Sequence, residues 1–426
     1  MQNVKGTNDY FGQEQAARKQ VRSALEDVFG LYDFEEMDSA ILNELELLTS
    51  KYAGGDEILK EMYQLTDQGK RSLGLRYDLT IPFAKVVALN PGIELPFKRY
   101  EIGKVFRDGP VKRGRLREFL QCDADVVGVA GPEAEAELMQ LAAEAFRRLD
   151  IPVTLKWNNR RFLGEVLGAV GILPDFKHSV MLTLDKAAKI GSAEVGRELL
   201  GKGLDEETAS ELIALIELDD PTFEQVAGKY ELLGQPGALE VIALQDLIQE
   251  LRLDGICRFD PFLSRGLSFY TGTVYEIFDA SGAFGSSLGG GGRYDAIIGE
   301  LVGEADIRYP TVGLSFGMES IMEMLRGRSL TPAMPSAMVV PIGDSMPDAL
   351  KAAAALRNRG IRTRVEVTGR KLRKSLASAS SKGIRFVVLI GETEAAAEKL
   401  LVKDMNETTE VLVDIEEAIE LIRRAP

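Results

Sequence analysis

The chain has 426 residues, with 51 Lys+Arg against 66 Asp+Glu, a formal net charge of −15 and 45% hydrophobic residues. That length exceeds one ordinary core, so two or three domains are expected, and the acidic balance excludes a protein that grips nucleic acid over its whole surface. Cys122 and Cys257 lie far apart and make neither a disulfide framework nor a zinc pattern, and with no signal peptide and no apolar run of roughly 18 residues a cytoplasmic chain with no membrane partner is expected.

In chain order, "EQAARKQVRSALEDVFGLY" has apolar residues at helical spacing, and "FEEMDSAIL" after it reads as extended. "EMYQLTDQGKRSLGLRYDLT" predicts a hairpin, two strand-like runs joined at Asp-Gln-Gly. "IPFAKVVALN" predicts a helix with Pro82 tolerated in its first turn. "PFKRYEIGKVFRDGPVKRGRLREFLQCDADVVGV" predicts two long antiparallel strands joined by an extended basic loop, and "PEAEAELMQLAAEAFRRL" an amphipathic helix. Residues 163–250 are helical patterns broken at "GILPD", "GKGLDEE" and "LDDPTFEQ", which suggests an inserted helical region.

"LSRGLSFYTGTVYEIF" (263–278) alternates β-branched and aromatic residues, predicting a half-buried strand with Arg265 and Tyr270 at or near its start. The four glycines of "SLGGGGRYD" (287–295) allow close backbone approach or tight strand packing, and match no nucleotide-binding glycine fingerprint. After a proline-bearing linker, "RGRSLTPAMP", strand and helix alternate from "SAMVVPIG" to "IRFVVLIG", the mark of an α/β unit over roughly 335–426. From Ser336 onward the chain carries 15 Lys+Arg against 13 Asp+Glu, so this tail is near neutral while the body before it is strongly acidic. "VKRGRLR" (111–117) and "GRKLRK" (369–374) are its candidate RNA-facing patches, if they are more than solvated faces.

The single histidine, His178, sits in a loop-like context, and rules out a His-rich metal site; no metal site is expected. No carboxylate pair stands out as a hydrolase. What remains is arginine-centred: Arg107 follows the apolar strand "IGKVF", Arg115 and Arg117 follow in the loop and returning strand, and Arg265 is a fourth. Guanidinium groups fixed at a sheet suit polyphosphate, whose oxygens they clamp in pairs and whose developing charge they stabilise.

Here the chain resembles the histidyl-tRNA synthetases, class II aminoacyl-tRNA ligases, along nearly its whole length. The resemblance rests on "KGTNDY" (5–10), "LRYDLTIPFAK" (75–85) and "FRDGPVKRGRLREFLQCDADVVG" (106–128), the last similar to motif 2 of that family. It continues in "LSRGLSFYTGTVYEIF" and "GGGGRYD", similar to the two histidine-specific motifs, in "TVGLSFGMESI" (311–321) at motif 3, and in "GRKLRKSLASASSKGIRFVVLIGE" of an anticodon-binding-like domain. The resemblance implies an α+β fold: an antiparallel sheet flanked by helices over 1–330, with the helical insertion, followed by an α/β domain over 335–426.

It also implies a two-step reaction in which histidine is activated by ATP, with Mg²⁺, and then passed to the terminal ribose of histidine tRNA, usually in a homodimer. Carried over residue by residue, Arg107 and Arg265 are the catalytic arginines at the α-phosphate, and Arg107, Arg115 and Glu319 face ATP. Asp78, Thr80 and Gln121 are placed at the amino group of histidine; Asp125, Tyr270 and Tyr294 surround its imidazole, with Arg265 adjoining. Three positions depart from the pattern: Ser320 stands where motif 3 has an arginine, Ser268 and Phe269 replace an acid and a tyrosine, and Ala40 replaces a proline of the dimer-forming motif 1. The same fold serves paralogues that bind histidine without charging tRNA, such as a regulatory subunit of ATP phosphoribosyltransferase, and this reading stands as the alternative.

Overall fold

A computed structural model describes residues 1–49, 59–112, 114–218, 220–266, 269–303, 309–326 and 337–424. The chain divides into two compact units, 1–328 and 329–426. In the first, β1 (Glu35–Glu36) is followed by a small sheet of β2 (Leu42–Glu44), β3 (Gln64–Thr66) and β4 (Ser72–Leu75), in which β4 lies between the other two. Two ten-residue strands come next, β5 (Phe97–Phe106) and β6 (Glu118–Val127), then β7 (Val153–Asn159), β8 (Cys257–Phe259), β9 (Thr273–Asp279), β10 (Gly289–Arg293) and β11 (Thr311–Gly317). With β1 they form one sheet in the order β1-β5-β6-β11-β10-β9-β7-β8; only the outer pairs β1/β5 and β7/β8 are parallel.

Alternation along these strands separates two faces. Tyr100, Cys122 and Phe316 point to the back, where the helices Gly12–Leu31 and Glu133–Arg148 pack. Phe29 stacks on Tyr100 with ring centroids 4.9 Å apart, and Phe316 lies 5.9 Å from Phe29 and 5.6 Å from Phe146. The first helix buries Val21, Leu25 and Val28, residues spaced to fall on one side. The second begins with Glu133 and Glu135 and ends with Arg147 and Arg148, each charge at the helix end whose dipole it complements.

Between β7 and β8 the chain is helical, and the breaks legible in the sequence are helix starts. Asn159 Oδ1 accepts from the amides of Arg161 (2.8 Å) and Phe162 (3.2 Å) to open the helix Arg160–Ala169. Pro174 occupies the first turn of Pro174–Leu184, Asp205 caps Glu206–Ile216, and Thr222 with Gln225 forms a capping box before Phe223–Lys229.

The second unit holds β12 (Ala337–Pro341), β13 (Thr363–Val365), β14 (Phe386–Ile390), β15 (Leu400–Asp404) and β16 (Thr409–Val413), in the order β13-β12-β14-β15-β16. Its first three strands are parallel and its last two antiparallel, with a core of Val339, Leu356, Phe386 and Val388. The hairpin β15/β16 and the helix Ile415–Arg424 extend the alternating pattern read from the sequence.

Candidate active site

The front face of the large sheet is built unlike the back. On β6, Gln121, Asp123 and Asp125 project to one side, and the cross-strand register sets them opposite Gly317, Ser315 and Gly313 of β11. One strand further, Ser315 and Gly313 pair with Gly290 and Gly292 of β10. Glycine therefore floors the middle of this face, leaving a hollow where side chains would stand. A Cβ on Gly313 would run into the Asp125 carboxylate and come within 3.3 Å of the Tyr294 ring, so the absence of a side chain there is a steric requirement.

Around the hollow, Tyr294 donates its hydroxyl to Asp125 Oδ1. Arg99 Nη2 lies 2.9 Å from Asp125 Oδ2, an ion pair by distance without the alignment of a hydrogen bond. Arg99 is itself buried, donates to the Leu79 carbonyl at 3.0 Å and lies 4.3 Å from the Phe83 ring centroid. Gln121 Nε2 donates to Ser315 Oγ at 3.0 Å. Burial pushes the Asp123 and Asp125 carboxyls up from the usual range; Asp125 adds to the shift of Asp123, and Arg99 opposes both. Three acceptors in this row, Gln121 Oε1, Asp123 Oδ1 and Asp125 Oδ2, are buried without a hydrogen-bond donor. For Gln121 Oε1 and Asp123 Oδ1 this carries a desolvation cost of about 1–3 kcal/mol each until a donor arrives, while at Asp125 Oδ2 the Arg99 guanidinium offsets part of it.

Asp78 lies at the start of the helix Thr80–Leu89, where its Oδ1 accepts from the Ile81 amide at 3.1 Å. Burial pushes its carboxyl up to about 6, against the pull of the Ile81 amide and of Arg107. Thr80 is the first residue of that helix and is half-buried. Arg107, just past β5, donates Nε to the Tyr77 carbonyl at 3.0 Å and lies 5.2 Å from the Phe119 ring centroid. Burial holds its guanidinium below the ordinary value, with Asp78 working the other way. Asp78 and Arg107 are thus brought together at one end of the hollow.

The other two residues expected to face ATP, Arg115 and Glu319, also have protein partners. Arg115 Nη2 lies 2.5 Å from Glu61 Oε1 on an exposed stretch. Glu319 accepts both Nη groups of Arg18 at 2.7 Å, which joins the helix Met318–Met324 to the helix Gly12–Leu31. Ser320, on the same first turn, sits near Gly114 of the basic loop, where a Cβ would lie 3.8 Å from its Oγ. Ala40 is exposed and accepts from Asn43 Nδ2 at 2.9 Å. Ser268 lies outside the described residues, and Phe269 is buried 4.8 Å from the Tyr270 ring centroid.

Arg265 corrects the sequence reading, while Tyr270 stands near the start of its strand as expected. Strand β9 begins at Thr273 and is buried along most of its length, so Tyr270 precedes it and Arg265 lies eight positions upstream in a loop, with φ of 59°. Alternation could show the strand but not the left-handed turn before it. The guanidinium of Arg265 reaches back over Gly290, with Nη1 3.5 Å from Glu276 Oε1. Burial works to lower its pKa, yet Tyr270, Glu276 and Asp185 hold it above the ordinary value. Burial likewise raises the Tyr270 hydroxyl, against the pull of Arg265.

His178 is the other correction: it sits in the helix Pro174–Leu184, not in a loop, and its Nδ1 is 2.9 Å from Arg160 Nη2. Burial, then Arg160 and Lys202, lower its pKa. With Arg161, Lys177, Tyr270 and Asp295 these two line a cleft of about 690 Å³. The sequence reading did not single out Arg99, Asp123, Ser315 or Glu276. The spacing of Gln121, Asp123 and Asp125 was the available signal, since polar residues two apart in a strand share a face.

Comparison with known proteins shows the family to which the chain is similar. A family model described as histidyl-tRNA synthetase matches residues 6–321, and one described as an anticodon binding domain matches 336–425. Histidine–tRNA ligase 1 of Bacillus cereus is 46% identical over 420 residues, covering 97% of this chain and 98% of that protein. Histidine–tRNA ligase 2 of Shouchella clausii is 46% identical over 418 residues, covering 95% and 96%. The crystal structure of histidyl-tRNA synthetase from Nostoc sp. PCC 7120 superposes with a TM-score of 0.84 at 28% identity, over 99% of both chains. A Bacillus halodurans protein described as an ATP phosphoribosyltransferase regulatory subunit/histidyl-tRNA synthetase shares the fold, with a TM-score of 0.75 at 19% identity over 92% of this chain and 98% of that one.

Proposed function

The chain belongs to the histidyl-tRNA synthetase family, and from that premise we propose that the glycine-floored hollow is where histidine meets ATP. The protein is a histidine–tRNA ligase, as its family and its 46% identity to named ligases over 97% of the chain establish. The observation that carries the site assignment is the row of buried acceptors lacking donors, Gln121 Oε1, Asp123 Oδ1 and Asp125 Oδ2. An ammonium offers three donors and an imidazole at least one, so histidine supplies what this row lacks.

In this reading Asp78, Thr80 and Gln121 take the amino group, while Asp125, Tyr270 and Tyr294 enclose the imidazole. The carboxylate of histidine then faces the arginines. Its oxygen attacks the α-phosphorus of ATP, the bond to pyrophosphate breaks, and histidyl-adenylate remains. Charge gathers on the α-phosphate oxygens as this happens, and Arg107 and Arg265 approach them from two sides; buried guanidinium groups already in place act there with little reorganisation. Arg115 and Glu319 serve the ATP phosphates and their surroundings, Arg115 by leaving Glu61 and Glu319 by staying on Arg18 to hold the motif 3 turn. Mg²⁺ enters with ATP as part of the substrate. A terminal ribose hydroxyl of histidine tRNA next attacks the adenylate carbonyl, and AMP leaves. The second unit binds the tRNA, and the working form is a homodimer in the cytoplasm.

Histidine-dependent exchange of labelled pyrophosphate into ATP, with Mg²⁺ and without tRNA, tests the assignment. Robust exchange is expected, showing that Ser320 in the motif 3 position is tolerated; Arg107→Ala should lower it by roughly 10²–10³-fold. Histidine binding without exchange would overturn the placing of Arg107 and Arg265 at the α-phosphate.

A further inference from the structure

Arg265 adopts a left-handed backbone conformation, φ 59°, without being glycine. Such a conformation is strained for a residue with a side chain and persists only where the surroundings over-determine it. Here the determinants come from one place, the C-terminal end of the helix Pro174–Leu184. Asp185 Oδ1 accepts from the Ser264 amide at 3.0 Å and from the Arg265 amide at 3.2 Å. Ser264 is fully buried and donates its hydroxyl to the Met181 carbonyl at 3.1 Å. The Asp185 amide donates to that same carbonyl at 3.0 Å, so the clamp is tied to the helix itself. On the far side, the guanidinium lies over Gly290 beside Glu276, and Asp185 and Glu276 line one cleft of about 560 Å³.

We propose that Asp185 is a positioning residue for Arg265: its carboxylate holds the Ser264–Arg265 turn in the one conformation that lays the guanidinium across the glycine floor. The inference rests on the reading of Arg265 as the second α-phosphate arginine. Asp185 touches no substrate. It acts through two backbone amides, and an amide carbonyl, though a weaker acceptor than a carboxylate, keeps an oxygen in the same place to hold them. Without an acceptor the turn relaxes towards an ordinary φ, and the guanidinium is carried off its place. A displacement of about 1 Å at a positioned group costs on the order of 10²-fold in rate.

The test is a set of variants assayed by pyrophosphate exchange, with histidine binding by calorimetry and melting temperature measured alongside. Asp185→Ala should lower the exchange kcat roughly 10²-fold, leave histidine affinity within about threefold, and be rescued by Asp185→Asn, which keeps an acceptor oxygen. Arg265→Ala should lower kcat at least as much, and adding Asp185→Ala to it should cost nothing further, because the two act as one unit. If Asp185→Ala does not fold, Asp185→Glu displaces the acceptor by one methylene and should show the same loss of kcat in a folded protein. Losses that multiply in the double variant, or a folded Asp185→Ala or Asp185→Glu with wild-type kcat, would overturn the inference while leaving Arg265 catalytic. Wild-type exchange from Arg265→Ala would instead overturn the reading of Arg265, and the inference with it.

Discussion

The two faces of the large sheet are made from the same strands and answer to different demands. On the back, Tyr100, Cys122 and Phe316 meet Phe29 and Phe146 in an apolar layer of aromatic contacts at 4.9–5.9 Å. On the front, one residue along each strand, Arg99, Asp123, Asp125 and Ser315 are packed around glycines, and three acceptors are left without donors. The back packs ring against ring and holds the sheet to its helices. The front keeps polar capacity in reserve for a ligand, and so lowers the stability of the empty protein. Function here is legible as what folding alone would not have chosen.

The largest effect that would sharpen this contrast is expected on the back. Phe316 is fully buried between two other rings, and Phe316→Ala should lower the unfolding free energy of the catalytic unit by about 3–5 kcal/mol through lost transfer energy and the cavity left behind. The residual folded protein should bind histidine nearly as well as the wild type. Denaturant unfolding followed by calorimetry checks both; a loss of histidine affinity greater than that of stability would show that the back face also shapes the site.

A front-face effect of intermediate size depends on pH. Burial raises the Asp78 carboxyl to about 6 from the ordinary 3.8, so the folded chain holds this proton more tightly than the unfolded one. The stability it contributes is therefore full below about pH 4 and lost as pH rises through about 6, with about 3 kcal/mol as the upper bound from a shift of that size. Asp78→Asn removes this titration. The stability of the variant relative to wild type should rise between pH 4 and 7, while its histidine affinity at pH 8 falls. A difference that stays flat with pH would mean that Asp78 is already ionised in acid and that the amides of Ile81 and Thr80 outweigh burial.

Much of this was legible in the chain itself, and the remainder was hidden for identifiable reasons. The helices Gly12–Leu31 and Glu133–Arg148, the β5/β6 hairpin and the alternation that opens the second unit are carried by local periodicity, which survives without tertiary contacts. The last helix, Ile415–Arg424, carried the same kind of signal in Ala418, Ile419 and Ile422, all buried, and the reading stopped short of it. Position in the site was another matter. Resemblance supplied Asp78, Arg107 and Asp125, but Arg99 and Ser315 lie in strand sequence that spacing alone reads as pairing. The turn at Arg265 depends on Asp185, 80 positions away in the chain, and no local pattern can announce a left-handed residue held from that distance. His178 failed for a simpler reason: Pro174 four residues earlier reads equally well as a loop or as the first turn of a helix.

The smallest effect expected is also the sharpest test of the comparison, because its two readouts should move in opposite directions. Asp123 is buried on the front face, with its carboxyl pushed up by burial and by Asp125, and its Oδ1 has no donor. At pH 9, above the value of about 8 to which burial and Asp125 push this carboxyl, Asp123→Asn keeps the shape and removes the charge. Relief of the repulsion with Asp125, and an amide able to donate to it, should leave the empty protein as stable or up to about 1 kcal/mol more stable. Histidine affinity should fall by about tenfold, since a hydrogen bond to a charged acceptor is worth about 1.5–3 kcal/mol and a neutral one less. On the back face, where Phe29, Tyr100, Phe146 and Phe316 pack ring against ring, no such opposite movement is expected. If Asp123→Asn lowers stability and affinity together, the front face is as much a structural layer as the back, and the three unmet acceptors are a feature of packing.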